Sequence, residues 1–263
     1  MNSEGVFDRR TRGHKGVYVV FWNGLFSGLP HCDVFYSLRS ALTDLKRNPH
    51  ISQSLHDASG RLIAYSDNGK VVMCNLISAT PDPMTLLKTA ASQCYQKEVT
   101  DATIKHILDA GHLSVLEHAY ASFEITCSLT VLLQLTRHRH LSFTVQSSRG
   151  TLLSDLYETG LLQLDNHNKR TLQLYHSLAD EGYQKDYLAY ILPKGILYHL
   201  VVTGNFRAWY EYLPKRLCMR ATAEHRILAE ILHKRLCLLC PDVFVRVRKN
   251  CDTCTERSCA FSD

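Results

Sequence analysis

The sequence predicts an α+β protein, because strand signals and amphipathic helix signals both recur along its 263 residues. A run of β-branched and aromatic residues at 16–22 predicts a strand, and an Asn-Gly dipeptide between 61–65 and 70–74 predicts a hairpin. Between residues 120 and 127 apolar and polar side chains alternate, as in a half-buried strand. Helical spacing dominates much of the rest, so we expect helices packed with a small mixed or antiparallel sheet.

Start and stop signals predict two helices just after the hairpin. The first covers 83–95, with Asp82 as its N-cap and a proline at its first position. The second covers 100–110, with Thr100 as its cap and Gly111 just past its end. These signals are local, so they predict where each helix begins and ends.

Longer helical patterns follow the alternating strand. Ser128 is a suitable cap for a helix from 129 to about 139. A second helical half runs from about 174 to 240, with a break near 192–195 and another where Pro214 must end or kink a helix. This interpretation places most of the C-terminal half in helices.

The chain divides by content into two parts. Residues 1–70 contain the first strand, a helical apolar spacing over 34–45 and the hairpin, but no recognisable chemistry. We predict that they form an N-terminal α+β appendage of unknown role. Residues 71–263 carry all candidate functional residues, so we predict that they form the functional domain.

Composition and charge narrow the function classes. Thirty Lys and Arg against 25 Asp and Glu give a net charge of +5, which favours anionic partners. An apolar share of 45% and a charged share of 21% exclude a largely disordered chain. No apolar run approaches the roughly 18 residues of a membrane helix, and the basic N-terminus lacks the apolar stretch of a secretory signal.

The ten cysteines predict reduced thiols in a cytoplasmic protein, because the chain is long enough to build its own core. Cys237 and Cys240, followed after ten residues by Cys251 and Cys254, have the spacing of a four-thiolate zinc site. The alternative is that the first pair is packed in an apolar helix, since free cysteine behaves as a small hydrophobe. We expect no metal, with zinc as the alternative.

The densest chemical segment is the basic run Arg137-His138-Arg139 at a predicted helix end. Gln134 precedes it by one helical turn, and Ser147 and Arg149 follow in a predicted loop. Arginine offers a planar fork to phosphate or carbonyl oxygens, so the set suits a nucleotide. The alternatives are a solvated basic helix end or a nucleic-acid-binding surface, although no helix-turn-helix or RNA-binding signature accompanies the run.

Two other segments contain polar groups of interest. His112, Glu117 and His118 lie after Gly111, where Glu117 and His118 could equally form a paired group in the core. Further on, Asn205 is a natural N-cap, and Arg216 follows Pro214 on what we expect to be irregular backbone.

These segments together resemble the flavin-dependent thymidylate synthase family. Its signature is Arg-His-Arg, seven residues and then Ser, which here is Arg137-His138-Arg139 followed by Ser147. The resemblance covers about residues 71 to 259. Further matching segments occur in the family's order: 111–112, 116–118, Gln134, 192–193, 203–209, Arg216 and 241–244.

The resemblance implies an enzyme with a central helical bundle and a homotetramer with active sites at subunit interfaces. Members bind FAD, use NADPH as reductant, take a one-carbon unit from methylenetetrahydrofolate and methylate C5 of dUMP to give dTMP. The fold and the cofactors therefore enter as expectations that follow from the family. No membrane partner is implied, and nucleic acid is not an expected partner.

The resemblance also implies the roles of individual residues. The residues expected around FAD are His112, Ser114, Arg137, His138, Arg139, Asn205 and Arg207. The residues expected to hold the pyrimidine nucleotide are Gln134, Arg137, Ser147, Ser148, Arg149 and Arg216. Arg216 is the expected activating group at the uracil ring, and Ser147 is expected to orient the nucleotide without attacking it.

Several positions depart from the family's pattern. Gly150 stands where a Tyr is common, Ala189 where a nucleotide-binding Arg is usual, and Arg220 where a His is common. The acidic residue that many members have within the signature is absent here, where the sequence is Thr144-Val145-Gln146. Two alternatives follow: methylation or hydroxymethylation of another pyrimidine nucleotide, such as UMP or dCMP, and an inactive flavin-binding member. A basic residue nearby could replace the lost arginine: Lys185, Lys194 or Arg220.

Overall fold

The computed structural model describes the backbone of residues 18–23, 30–35, 53–57, 62–67 and 70–255. Side-chain surroundings are described from residue 72 to 255, apart from Tyr95. The chain divides into two compact units. One comprises Met1–Asn75 and Ser147–Leu197, and the other comprises Leu76–Gln146 and Tyr198–Asp263. The predicted boundary between residues 70 and 71 stays a prediction.

The first unit contains an antiparallel meander. Its strands are β1 (Tyr18–Asn23), β2 (Pro30–Phe35), β3 (Gln53–Asp57), β4 (Leu62–Asp67) and the first part of β5 (Lys70–Ala79). They lie in the order β2-β1-β3-β4-β5.

Two strand predictions in this meander are confirmed. Residues 18–22 of the predicted run lie in β1, and β4 and β5 form the predicted hairpin, with Asp67 opposite Lys70. The helix predicted over 34–45 begins within β2, and its residues from 36 onward lie outside the described residues.

The first unit also contains the segment from 147 to 197. Its helices are α4 (Leu162–Asp180) and α5 (Lys185–Leu188), and a 3-10 turn follows at Ala189–Ile191. The prediction that helix begins near Leu174 was wrong by about three turns. Only Asn168 and Tyr175 of α4 are buried, so most of this helix carries no apolar stripe for the sequence to show.

The second unit contains the end of β5, then β6 (Tyr120–Ser128), β7 (Ser142–Val145) and β8 (Leu197–Asn205), in the order β5-β6-β8-β7. The apolar face predicted for β6 is confirmed, since Ala121, Phe123, Ile125 and Cys127 are all buried, but Thr126 of the predicted polar face is buried as well. The helical prediction for 197–205 was wrong. Burial alternates along β8, and its β-branched residues favour a pleated surface over a helix.

Along the sequence, the helices of the second unit come before, between and after these strands. They are α1 (Pro83–Tyr95), α2 (Asp101–Asp109), α3 (Leu129–Leu135), α6 (Phe206–Arg216), α7 (Ala223–Leu239) and α8 (Pro241–Phe244). Side chains at four N-caps accept the expected backbone hydrogen bonds: Asp82, Thr100, Ser128 and Asn205. All four caps were predicted, and the α+β fold class is confirmed.

Two helix ends differ from the prediction. Helix α3 ends at Leu135 and not near Arg139, because the chain turns through backbone bonds from His138 to Leu135 and from Leu141 to His138 before β7 begins. Helix α6 continues through Pro214 to Arg216. Arg216 therefore lies in the last turn of a helix, and its predicted place on irregular backbone was wrong.

Trp209 of α6 is the centre of the second unit's core. Its ring is fully buried, packs edge-on to Phe123 at 5.3 Å between centroids, and donates an indole hydrogen bond of 3.1 Å to the carbonyl of Ala121. A Cβ at Gly204 would lie 2.3 Å from Leu141 Cδ2 and 3.2 Å from Trp209 Nε1. Glycine is therefore required at 204 by the close approach of the core.

We expect Gly204→Ala to lower the free energy of unfolding by about 1–3 kcal/mol, because both neighbours of the new methyl group are buried and must move. Urea unfolding followed by tryptophan fluorescence measures the change. Gly150→Ala is the control, since a Cβ there makes an ordinary contact of 3.5 Å with Ser147. Equal stability of both variants would contradict the packing argument.

Candidate active site

The guanidinium of Arg216, in the last turn of α6, is held by three hydrogen bonds. Nε donates to His138 Nε2 at 2.9 Å, Nη1 to Gln134 Oε1 at 3.3 Å and Nη2 to the Gln134 carbonyl at 3.0 Å. None of these partners carries a negative charge. Three of the five N–H groups are used, so two remain to address a ligand.

His138 is thereby placed as an acceptor for Arg216. Its ring also packs edge-on to Tyr212, with 4.8 Å between centroids. Burial, followed by the charges of Arg216 and Lys215, lowers the pKa of His138 to about 4. His138 is therefore neutral near pH 7 and keeps the lone pair that orients Arg216.

A buried carboxylate supports the same region from α7. Glu224 accepts hydrogen bonds from the Ser128 backbone N–H at 2.7 Å and from the Ser128 hydroxyl at 2.6 Å, and Ser128 in turn caps α3. Burial raises the pKa of Glu224, while the bonds from Ser128 lower it. The bonds between Ser128 and Glu224 connect the start of α3 to α7. Gln134 lies near the other end of α3.

Arg207, near the start of α6, is occupied by two acids. It donates to Glu117 at 2.6 Å and to Glu211 at 2.9 Å, and these bonds raise its pKa, Glu211 contributing most. Glu117 and His118 are both exposed, so the alternative of a paired group in the core was wrong. Asn205 is occupied as the cap of α6, accepting from Ala208 N at 2.8 Å.

The remaining residues predicted around the flavin lie on exposed backbone of the second unit. Arg137 and Arg139 are exposed on the turn after α3, and neither pairs with an acid among the described residues. His112 and Ser114 are exposed at the start of the 3-10 segment Leu113–His118. These side chains are exposed, and no acid in the described part of the chain neutralises the two arginines.

The signature serine belongs to the first unit. Ser147 Oγ accepts from the backbone N–H groups of Arg149 at 3.2 Å and Gly150 at 3.1 Å, so its hydroxyl hydrogen remains available to donate. Arg149 forms a bidentate pair with Asp186, with Nε to Oδ1 at 2.6 Å and Nη2 to Oδ2 at 3.1 Å. Sequence reasoning missed Asp186, which lies 37 residues from its partner.

A cavity of about 530 Å³ lies beside Arg149 in the first unit. Its lining residues are Ser148, Arg149, Gln184, Asp186, Tyr187, Ala189 and Tyr190. Ala189, the position where the family usually has an arginine, therefore faces this cavity. Lys185 lies close by, and its ammonium donates to the carbonyl of Gly150 at 3.1 Å.

The C-terminal cysteines are arranged differently from a metal site. Cys251 Sγ accepts from the Met219 backbone N–H at 3.1 Å and donates to Cys218 Sγ at 3.4 Å. Burial raises the pKa of Cys240 to about 11, which disfavours the thiolate that zinc requires. Within residues 70–255 no group of three or more possible ligands is arranged to hold a metal ion, and no helix there is long and apolar enough to cross a bilayer.

Comparison with known proteins identifies the family. The model of the family described as thymidylate synthase complementing protein matches residues 75–242. A flavin-dependent thymidylate synthase of Mycolicibacterium gilvum (strain PYR-GCK) is 32% identical over 193 residues, covering 60% of this chain and 77% of the relative. One of Saccharolobus solfataricus is 30% identical over 205 residues, covering 69% and 78%. The chain belongs to the flavin-dependent thymidylate synthase family.

A solved structure supports the fold of this family member. Thymidylate synthase X of Helicobacter pylori, determined with FAD and dUMP, is similar with a TM-score of 0.57 and 24% identity. The similarity covers 62% of this chain and 92% of that structure. The resemblance to this enzyme family is therefore confirmed, and all residues predicted for the site, from His112 to Arg216, lie within the matched segment.

This flavin-dependent thymidylate synthase family member should lose stability on acidification. Burial lowers the pKa of His225 to about 3, as well as that of His138 to about 4. Between these values and about 6.5 the unfolded chain binds more protons than the folded chain, so the free energy of unfolding falls as the pH falls. For a fully buried histidine the slope approaches about 1.4 kcal/mol per pH unit.

Urea unfolding at pH 7.5, 6.5 and 5.5 measures this slope. The raised pKa of Glu224 acts in the opposite direction, because it makes stability fall as the pH rises above about 4.5. We therefore use Glu224→Gln as the background and compare it with and without His225→Asn. If His225→Asn does not reduce the slope of the free energy of unfolding against pH, the assignment of a neutral, buried His225 is contradicted.

Proposed function

We propose that this chain transfers a one-carbon unit from methylenetetrahydrofolate to C5 of dUMP, with FAD as cofactor and NADPH as reductant, giving dTMP. The observation that carries the proposal is Arg216. Its guanidinium is half-buried, and among the described residues it bonds only to uncharged partners, which leaves two N–H donors. A positive charge held in this way is suited to an anion that forms on a pyrimidine ring.

The chemistry explains why such a group is needed. Uracil C5 is a weak nucleophile until negative charge builds on the ring carbonyls, and Arg216 stabilises that charge when its free N–H groups point at them. Burial lowers the pKa of Arg216, but a guanidinium stays protonated at any working pH. His138 and Gln134 hold the fork in place, so little reorganisation is needed as the charge develops.

The exposed cations fit an anionic cofactor. Arg137 and Arg139 have no acidic partner among the described residues, so they offer uncompensated charge to phosphates and to an electron-rich ring. His112, Ser114, His138, Asn205 and Arg207 complete the proposed flavin-binding set, although His138, Asn205 and Arg207 already have partners within the chain. Bound FAD would supply the reducing electrons, while the protein binds and orients the reactants.

Ser147, Ser148 and Arg149 are the proposed nucleotide-binding residues of the first unit. The Ser147 hydroxyl can donate while its oxygen organises the turn. Arg149 is held by Asp186, which fixes its direction and removes part of its charge. With Ala189 in place of an arginine, Lys185 is a cation that could contribute to phosphate binding, since it lies against Gly150.

Two further proposals come from the family resemblance. We propose a homotetramer with active sites at subunit interfaces, which the exposed flavin-binding cations suit because a neighbouring chain can cover them. We also propose a cytoplasmic location, which rests on the expectation that the ten cysteines are reduced in a chain long enough to build its own core.

The direct test is release of tritium from C5-labelled dUMP by the purified holoprotein with NADPH and methylenetetrahydrofolate. Formation of dTMP, together with a flavin absorbance spectrum, would support the proposal. A yellow protein without turnover would favour the inactive flavin-binding alternative. A colourless protein whose nucleic-acid affinity falls steeply with salt would favour a nucleic-acid-binding function instead.

A different pyrimidine nucleotide is the second candidate substrate, and Ala189 is the observation that favours it. Loss of a charged hydrogen bond to the nucleotide weakens binding by about 1.5–3 kcal/mol unless another group replaces it. Mass spectrometry of the products formed from dUMP, UMP and dCMP would distinguish these substrates. Methylation or hydroxymethylation of UMP or dCMP in preference to dUMP would replace the first proposal.

We expect Ser147→Ala to raise the KM for dUMP about tenfold, because it removes both the donor to the nucleotide and the acceptor of two backbone N–H groups. Steady-state kinetics with varied dUMP measure the change. Ser154→Ala is the control, since Ser154 is exposed and bonds only to the neighbouring Asp155. Wild-type KM and rate in Ser147→Ala would show that the signature loop has been assigned wrongly.

A further inference from the structure

A buried hydrogen-bonded pair stands behind Gln134. Tyr212 of α6 and His225 of α7 are both fully buried, and Tyr212 Oη lies 3.0 Å from His225 Nε2. The other ring nitrogen, His225 Nδ1, lies 3.4 Å from Gln134 Oε1. Neither residue belongs to the family signature, and neither contributes to the mechanism described above.

The directions of these hydrogen bonds follow from the donors present. Gln134 Oε1 accepts from Arg216 Nη1, so His225 can satisfy it only by donating from Nδ1–H. His225 Nε2 must then be unprotonated, and it accepts from the Tyr212 hydroxyl. Burial keeps the ring neutral by lowering the pKa of His225 to about 3, so it carries a single N–H. By donating its hydroxyl hydrogen to Nε2, Tyr212 stabilises this tautomer of His225.

The tautomer determines which end of the Gln134 amide faces outward. Two donors, Arg216 Nη1 and His225 Nδ1–H, converge on Oε1, so Nε2 and its two hydrogens point away from them. With the opposite tautomer, Nδ1 would be an acceptor and would repel Oε1. The amide would then keep its orientation through Arg216 Nη1 alone, against repulsion from His225 Nδ1.

We propose that Tyr212 and His225 are positioning residues that hold the Gln134 amide with its N–H groups toward the 4-position of the bound pyrimidine. In that orientation the site selects uracil, whose C4 carbonyl accepts a hydrogen bond, over cytosine, whose 4-amino group donates one. This inference rests on the proposed function, because it assigns Gln134 to the nucleotide. It adds the origin of base selectivity within this chain.

Three substitutions separate positioning from packing. Tyr212→Phe removes one oxygen atom and leaves the ring in the core. His225→Asn keeps an N–H donor close to the position of Nδ1, whereas His225→Leu fills the space with no donor. The control is Tyr175→Phe, which removes another fully buried hydroxyl, bonded to Leu153 N, from the first unit.

The experiment measures the Kd of dUMP and of dCMP for each holoprotein by calorimetry, with thermal unfolding in parallel. We expect Tyr212→Phe and His225→Leu to raise the Kd of dUMP about tenfold. The Kd of dCMP should change less, so the preference for dUMP over dCMP should decrease. We expect His225→Asn to keep most of the preference for dUMP over dCMP. Tyr175→Phe should keep all of this preference, although it should lose about as much thermal stability as Tyr212→Phe.

Tyr212→Phe is the deciding variant, because it changes the core least. Unchanged selectivity in Tyr212→Phe, or equal weakening of dUMP and dCMP binding in proportion to lost stability, would overturn the inference while leaving the proposed function intact. If the wild-type holoprotein binds neither nucleotide, the proposed function fails and this inference fails with it.

Discussion

Arg216→Ala is expected to lower kcat for dTMP formation by a factor on the order of 10³, because it removes the preorganised donors that stabilise charge on the uracil ring. The flavin should stay bound, since His138 is the only proposed flavin-binding residue bonded to Arg216 among the described residues, and the exposed cations remain in place. Arg216→Lys keeps the charge but loses the planar fork, so it should recover only part of the rate.

Tritium release at saturating dUMP measures the rate, and the flavin absorbance spectrum measures cofactor retention. Lys215→Ala is the matched control, because Lys215 is an exposed cation in the same last turn of α6. It should leave kcat near the wild-type value. Methylation at the wild-type rate in Arg216→Ala would remove Arg216 from the catalytic role and would leave the proposed mechanism without its central charge.

The parts of the fold that the sequence predicted are those with local causes. The caps Asp82, Thr100, Ser128 and Asn205 each bond to a backbone group three residues ahead, so a short window contains the whole interaction. The alternation in β6 is local in the same way. The signature and its neighbouring segments were sufficient to identify the family, because a long spacing of specific residue types seldom occurs by chance.

The parts that the sequence did not predict depend on distant partners. The burial pattern of β8 arises from the strands beside it, and few residues of α4 are buried, so neither element has a strong local signal. Sequence spacing gave no signal for the bonds of His225 to Gln134, 91 residues away, or of Glu224 to Ser128, 96 residues away.

The same distinction applies to the candidate site. Family resemblance predicts His138 among the flavin residues, and the structure adds that it is an uncharged acceptor for Arg216. It placed Arg149 at the nucleotide without showing that Asp186 already holds it. A motif predicts which residue types a reaction needs, but hydrogen-bond partners determine how much charge and which donors each residue can offer.

Glu224→Leu is expected to lower the free energy of unfolding by about 2–4 kcal/mol, because it leaves two buried donors of Ser128 without a partner. Ser128 is only 1% exposed, so water cannot readily replace the carboxylate. The loss should also reach the site, since Ser128 caps the short helix that carries Gln134. Urea unfolding measures the first effect, and the KM for dUMP measures the second.

Glu224→Gln is the matched control for this substitution. Its carbonyl oxygen can still accept from the Ser128 backbone N–H, and its amide can donate to the Ser128 hydroxyl, which then turns its own hydrogen elsewhere. We expect it to cost less than about 1 kcal/mol at neutral pH, because the removed charge was itself disfavoured by burial. If Glu224→Gln and Glu224→Leu lower the free energy of unfolding equally, the charge of Glu224 is what stabilises the fold. The hydrogen bonds to Ser128 would then not explain why this carboxylate is buried.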